Sequence, residues 1–128
     1  MRLLLDSHAL LWFLGNHPNL SGTARSLMVD PNNTLVSSLA SVWELAVKVS
    51  VGKLSLTDPF DVFVRQVINQ TGAILLPIDL LHIFAYAILP LHHRDPFDRL
   101  LIAQAKVEQV SIVSNDTAFD SYSISRLW

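Results

Sequence analysis

The sequence predicts a single α/β domain over residues 1–128, a three-layer α/β/α sandwich built on a mostly parallel sheet of four to five strands. Three observations carry this. Short apolar runs ("RLLL", "TLVSS", "AILLPI", "VSIVS") alternate with segments of helical pattern, the order that builds strand–helix–strand units with a parallel sheet. Hydrophobic residues make up 51% of the chain and charged residues only 16%, so there is enough apolar surface to bury a sheet on both faces. At 128 residues the chain is long enough for one substantial core and short for two.

Taken in order, Arg2–Leu5 is a buried strand ending at Asp6, and Ser7–Leu14 a helix ended by Gly15, Asn16 and Pro18. Ser21 caps a helix running to about Val29, stopped by "DPNN". Thr34–Ser38 is the second strand. Leu39–Val51 follows as a helix with Val42, Leu45, Ala46 and Val49 as its inward stripe and Gly52 at its end. Asp58 and Pro59 supply a cap and a first-turn proline for a helix to about Asn69, followed by Gly72. After "AILLPI", Asp79 caps "LLHIFAYAI", which Pro90 closes. Asp95 and Pro96 open the helix "PFDRLLIAQA". "VSIVS" is the next strand, Asp116 begins a short helical turn, and "YSISRLW" adds an edge strand.

Several function classes are excluded. The absence of cysteine removes disulfides, zinc–thiolate sites and thiol nucleophiles. A net charge of −2 and a pI near 6.2 argue against coating nucleic acid by bulk charge, while leaving room for an enzyme with a local basic rim. No apolar run reaches the roughly 18 residues that span a bilayer. The opening "MRLLLDSHALLWFL" reads as folded structure because Asp6 and His8 interrupt it, and the expected location is the cytoplasm. The adjacent His92 and His93 are expected to point to different sides, a poor metal pair.

The eleven acidic residues separate by surroundings. Asp30, Asp58 and Asp95 precede prolines and Asp79 precedes a helix, so caps and turns account for them. Asp61, Glu108 and Asp120 stand among polar or turn residues and are expected to be solvated. Asp6, Glu44, Asp98 and Asp116 differ. The first and last follow strands and belong at the carboxyl edge of the sheet, where α/β proteins collect ligands. Glu44 and Asp98 lie inside apolar helices, as "SVWEL" and "FDRLL". Taken singly, each has a structural explanation: Asp6 as a helix cap, Glu44 as the partner of Lys48 four residues on, Asp98 as a partner of Arg94 or Arg99, Asp116 as a turn residue. Four carboxylates at one place repel unless protons or cations offset them, and hard divalent ions such as Mg²⁺ or Mn²⁺ prefer all-oxygen ligands. Ions held this way activate water and stabilise phosphoryl charge, which suits phosphodiester cleavage.

At these residues the chain resembles the PIN-domain proteins, in particular the VapC-type ribonuclease toxins of toxin–antitoxin pairs. "LLLDSHALLWFL", "SSLASVWELAVKVSVGKL", "HHRDPFDRLLIAQA" and "IVSNDTAF" resemble the successive motifs of that family in order, spacing and total length, from Arg2 to about Phe119. The resemblance implies a PIN-like fold and Asp6, Glu44, Asp98 and Asp116 as the four acids that bind Mg²⁺ or Mn²⁺. It implies cutting of RNA by metal-activated water, leaving 5′-phosphate and 3′-hydroxyl ends. Ser7 and Ser114 match hydroxyl residues that accompany the first and fourth acids. Asp98 rather than Asp95 is taken as the third acid, since it precedes "RLLIAQA"; Asp95 is the cap, with a water-mediated metal contact left open. Lys48, Lys53, Arg94 and Arg99 are candidates for phosphate contacts. The partners implied are an antitoxin protein and a second copy of the chain, with Trp12, Phe13 and Trp43 read as core or as interface anchors. Two other readings stand beside this one. A phosphotransfer domain lacks its expected second acid beside Asp6 and the lysine after "VSIVS". A non-catalytic scaffold of the same fold needs none of the four acids.

Overall fold

The computed structural model describes residues 1–128 and contains one five-stranded, all-parallel sheet in the order β3-β2-β1-β4-β5. The strands are β1 (Arg2–Leu5), β2 (Thr34–Ser38), β3 (Ile74–Leu76), β4 (Ser111–Val113) and β5 (Arg126–Leu127). The helices are α1 (Ser7–Leu14), α2 (Gly22–Val29), α3 (Leu39–Ser50), α4 (Phe60–Thr71), α5 (Leu80–Ala87) and α6 (Pro96–Glu108), with a short 3-10 turn over Thr117–Ser121.

β1 is the central strand, pairing Leu4 with Val36 on one side and with Ile112 on the other. Alternation along β1 divides the core into two layers. Leu3 and Leu5 face a cluster with Ala9, Leu10, Ala24 and Val67, while Leu4 faces Leu101, Ile102, Ala105 and Phe119 on the opposite side. A strand covered on both faces is apolar at every position, which is why "LLL" carries no alternation.

The caps follow the sequence in most places. Asp6, Ser21, Ser38, Asp79, Asp95 and Asp116 each accept a backbone N–H at the start of the following helix or turn. The start of α4 departs from expectation: Pro59 itself is the cap residue, and no side chain, Asp58 included, caps this helix. That helix also runs two residues further, to Thr71, where Gly72 takes the left-handed conformation at φ 66°.

The inward face of α3 is turned from the expected stripe. Ala40, Ser41, Glu44 and Leu45 are its buried residues, while Val42, Ala46 and Val49 are half-buried. Helix α3 leaves the sheet edge at Ser38 and packs on α6, so the face that turns inward includes its one acid. Trp43 is consequently 57% exposed and rests edge-to-face on Phe97, with 4.9 Å between centroids. It is not a core residue, whereas Trp12 and Phe13 do pack against the core.

Glu108, expected to be solvated, is half-buried and accepts from His82 at 3.2 Å. Asp120 is exposed as expected and also holds Arg126 through two bonds of 2.8 and 3.0 Å. His82 is fully buried and also lies within 3.3 Å of Gln104, which in turn donates to the Pro77 carbonyl. This polar set locks α5 to α6 and turns the apolar residues of α5 outward. Leu80, Leu81, Ile83 and Phe84 are all about half exposed or more, and Ile88 and Leu91 beyond the helix more so.

Truncating the central strand by Leu4→Ala is expected to cost about 2–5 kcal/mol through lost burial and a residual cavity. Trp43→Ala is expected to cost less than about 1 kcal/mol, as exposed positions do. Urea denaturation of both variants tests the two-layer assignment.

Candidate active site

Parallel pairing sends the carboxyl ends of β1, β2 and β4 to one edge, and the chain places an acid just beyond, or on a helix springing from, each of them. Asp6 follows β1 directly, its N–H bonded to the Val113 carbonyl at 3.2 Å. Glu44 lies in the second turn of α3, the helix that starts where β2 ends. Asp116 stands three residues after β4 and begins the 3-10 turn. Asp98 enters from the first turn of α6, which packs beside α3.

Asp6 and Glu44 are buried, Asp98 is half-buried and Asp116 is exposed. The Asp6 Oδ1 accepts the Ala9 N–H at 2.7 Å, so the capping role is real and occupies one oxygen. Ser7 donates its hydroxyl to Glu44 Oε1 at 3.0 Å. The expected Glu44–Lys48 pair also exists, with Nζ 3.4 Å from Oε2, yet Glu44 is only 8% exposed and faces the other acids. The Ser114 hydroxyl accepts the Asp116 N–H at 3.0 Å and lies against Asp6. Asp95 is exposed and is spent as the cap of α6, accepting the N–H groups of Phe97 and Asp98.

Electrostatics sets Asp6 and Asp98 apart from the other carboxylates. Burial pushes the Asp6 carboxyl above its ordinary value, opposed by Ser114, the Ala9 N–H and His8 and reinforced by Glu44. Asp98 is pushed up to about 7, first by desolvation and then by the charges of Asp95, Glu44, Asp116 and Asp6. Asp98 therefore feels the other three acids, and Asp6 feels Glu44. The donor set is all oxygen and suits a hard divalent cation. As the side chains stand, however, no three of them converge closely enough to grip one ion.

Arg99 is not where a phosphate contact would need it. It is buried, donating to the Pro90 carbonyl at 2.9 Å and the Tyr122 hydroxyl at 3.1 Å with its guanidinium over the Tyr86 ring. It is a strut that ties the loop before α6 to the rest of the fold. Nor do Arg94 and Arg99 pair with Asp98, whose nearest basic neighbour is His93, Nε2 to Oδ2 3.6 Å. Lys48, Lys53 and Arg94 instead line one groove of about 340 Å³ with Glu44, Asp95 and Phe97, a basic channel opening beside the acids.

Sequence reasoning missed His93 and Tyr122. His92 and His93 do not diverge: both rings pack against Tyr122, with centroids 4.9 and 5.5 Å away. Tyr122 is 29 residues from His93, so no local pattern links them.

An acid cluster at the carboxyl edge of a five-stranded parallel sheet defines a class of α/β site built to bind at the strand ends. The chain belongs to the PIN-domain family, whose sequence model matches residues 3–124. Over 70 residues, 52% of the chain, it is 31% identical to Ribonuclease VapC16 of Mycobacterium tuberculosis, a match that spans half the length of that relative. Among solved structures it is similar to VapBC2 of Rickettsia felis bound to a promoter DNA fragment, with a TM-score of 0.75 and 16% identity over 98% of this chain and 97% of that one. FitAcB of Neisseria gonorrhoeae is also similar, with a TM-score of 0.64 and 20% identity over 97% and 95% of the two chains. At these identities the likeness to solved structures establishes the fold.

A carboxyl raised above its unfolded value binds its proton more tightly in the native state, so its contribution is lost as pH rises toward the native value. The metal-free protein is therefore expected to lose thermal stability between about pH 4 and about pH 7 through Asp98. Asp98→Asn should flatten that part of the profile, as followed by circular dichroism melts at stepped pH.

Proposed function

We propose that this chain is a metal-dependent endoribonuclease acting as the toxin of a toxin–antitoxin pair. The observation that carries the reading is the placement of Asp6, Glu44, Asp98 and Asp116 near one edge of the sheet, with the charges of the other three acting on Asp98. There, burial and mutual repulsion drive Asp98 up to about 7, and Lys48 is the only lysine or arginine paired with any of the four. Family membership and the partial identity to a protein named as a ribonuclease support it.

In this reading the four carboxylates hold Mg²⁺ or Mn²⁺. When bound, the cation lowers the pKa of attacking water and offsets charge building on the phosphoryl oxygens. The chain's own residues do the rest. Ser7 holds Glu44, and Ser114 orients Asp6 and the turn that carries Asp116, as outer hydrogen-bond partners of metal ligands do. Asp95 keeps Asp98 at the helix start. Lys48, Lys53 and Arg94 hold the backbone of the RNA strand in the groove beside Glu44. The partners are an antitoxin and a second copy of the chain, and the exposed apolar surface around α5 supports burial against another protein. No helix is long and apolar enough to cross a membrane, and the proposed setting is the cytoplasm.

Incubation with a pool of structured RNAs in Mn²⁺ or Mg²⁺ should give cutting that EDTA abolishes. Asp98→Asn should slow it by about 100-fold or more, since a ligand should cost at least what an outer-shell partner does. The products should carry 5′-phosphate ends; 2′,3′-cyclic phosphates would rule out metal-activated water as the nucleophile. RNA binding by the Asp98→Asn protein gives a separate check on the groove. Lys53→Ala should weaken binding and reduce the log–log salt slope by about 0.7, the loss of one single-strand phosphate contact.

A further inference from the structure

The His93 ring lies half-buried between Tyr122 and Asp98, and three contacts around it define how it is used. The Arg99 guanidinium donates to the Tyr122 hydroxyl at 3.1 Å. Since that oxygen accepts from Arg99, its own proton is free to go to His93 Nδ1, 2.8 Å away. With Nδ1 serving as acceptor, the neutral ring carries its proton on Nε2. That Nε2 is buried and has no hydrogen-bond partner, and Asp98 Oδ2 lies 3.6 Å from it. The separation is just beyond a hydrogen bond. A small turn of the Asp98 carboxylate closes it.

We propose that His93 is a positioning residue for Asp98: with its tautomer fixed by Tyr122, it presents Nε2–H to Asp98 Oδ2, which orients the carboxylate and leaves Oδ1 toward the other acids. The inference rests on the reading of Asp98 as a metal ligand and adds to it the residue that aims that ligand. The geometry has the form of an outer-shell donor. A buried donor with no other partner is satisfied only when the carboxylate is turned one way, so the ring selects one orientation of Asp98 from those open to an aspartate in a first helical turn. The route back from His93 through Tyr122 to Arg99 and the Pro90 carbonyl ties that orientation to the loop before α6. This gives the buried arginine a purpose that ion pairing does not.

The test uses the full chain, with Mn²⁺ alone as the probe and its midpoint read from thermal stabilisation, beside RNA cleavage. His93→Ala is expected to raise the Mn²⁺ midpoint by about 10-fold and to lower cleavage by about 10–100-fold, the usual cost of losing an outer-shell partner. His93→Gln, which keeps a donor near the same place, should restore most of both, and Tyr122→Phe should fall between. A His93→Ala protein that melts earlier without metal but keeps the wild-type Mn²⁺ midpoint would make His93 merely structural and overturn the proposal, leaving the metal site standing. Loss in His93→Gln equal to that in His93→Ala would also overturn it. A wild-type protein with no response to Mn²⁺ would overturn both the metal site and the proposal built on it.

Discussion

Like charges gathered in a poorly solvated place are the constraint around which this protein is arranged. Four carboxylates lie at the carboxyl edge of the sheet, and two of them are almost removed from water. Desolvation and repulsion act in the same direction on Asp98, which faces all of the others and is pushed up to about 7. The fold tolerates this because each acid is anchored by something outside the cluster. Asp6 is held by the N–H of Ala9, Glu44 by Ser7 and Lys48, and Asp116 by the turn it caps. If the proposed cation binds there, its binding and the stability of the fold would be linked.

The polar groups away from the cluster serve to hold the helices that carry it. Arg99, Tyr122 and His93 brace the entry to α6 from one side. His82, Gln104 and Glu108 brace α6 against α5 from the other. Buried polar groups of this kind need partners, and among these six residues only His93 Nε2 and Gln104 Oε1 lack one. The bracing matters because Asp98 sits in the first turn of α6, where small shifts of the helix start would move its carboxylate. The apolar side of α5 is the corollary: a short helix clamped through a buried histidine must turn its leucines outward.

The same arrangement supplies a groove for the strand of the proposed reading. The groove beside Glu44 collects Lys48, Lys53 and Arg94 from two separate segments, with Glu44 itself in its lining. A chain with net charge −2 can thus present a local positive channel without being basic overall.

Much of this was legible in the sequence, for a physical reason. Strand and helix order, five of the caps, and the grouping of Asp6 and Asp116 at one sheet edge follow from local pattern, because parallel pairing fixes which end of each strand faces the site. The four acids stood out because a carboxylate in an apolar segment needs a partner wherever the segment lands. Rotation of α3 was not legible: Val42, Ala46 and Val49 are as apolar as Leu45, and only packing against α6 decides that Glu44 turns in and Trp43 out. Nor could the sequence assign Arg99, which looks like any phosphate-binding arginine until Pro90 and Tyr122 are seen around it. His93 and Tyr122 are the clearest case. Their contact spans 29 residues, and no rule of local periodicity brings them together. Residue chemistry by itself determined the kind of site this chain can build. The tertiary structure decided which side chains face it, because burial and partner choice are properties of packed elements and not of the segments that form them.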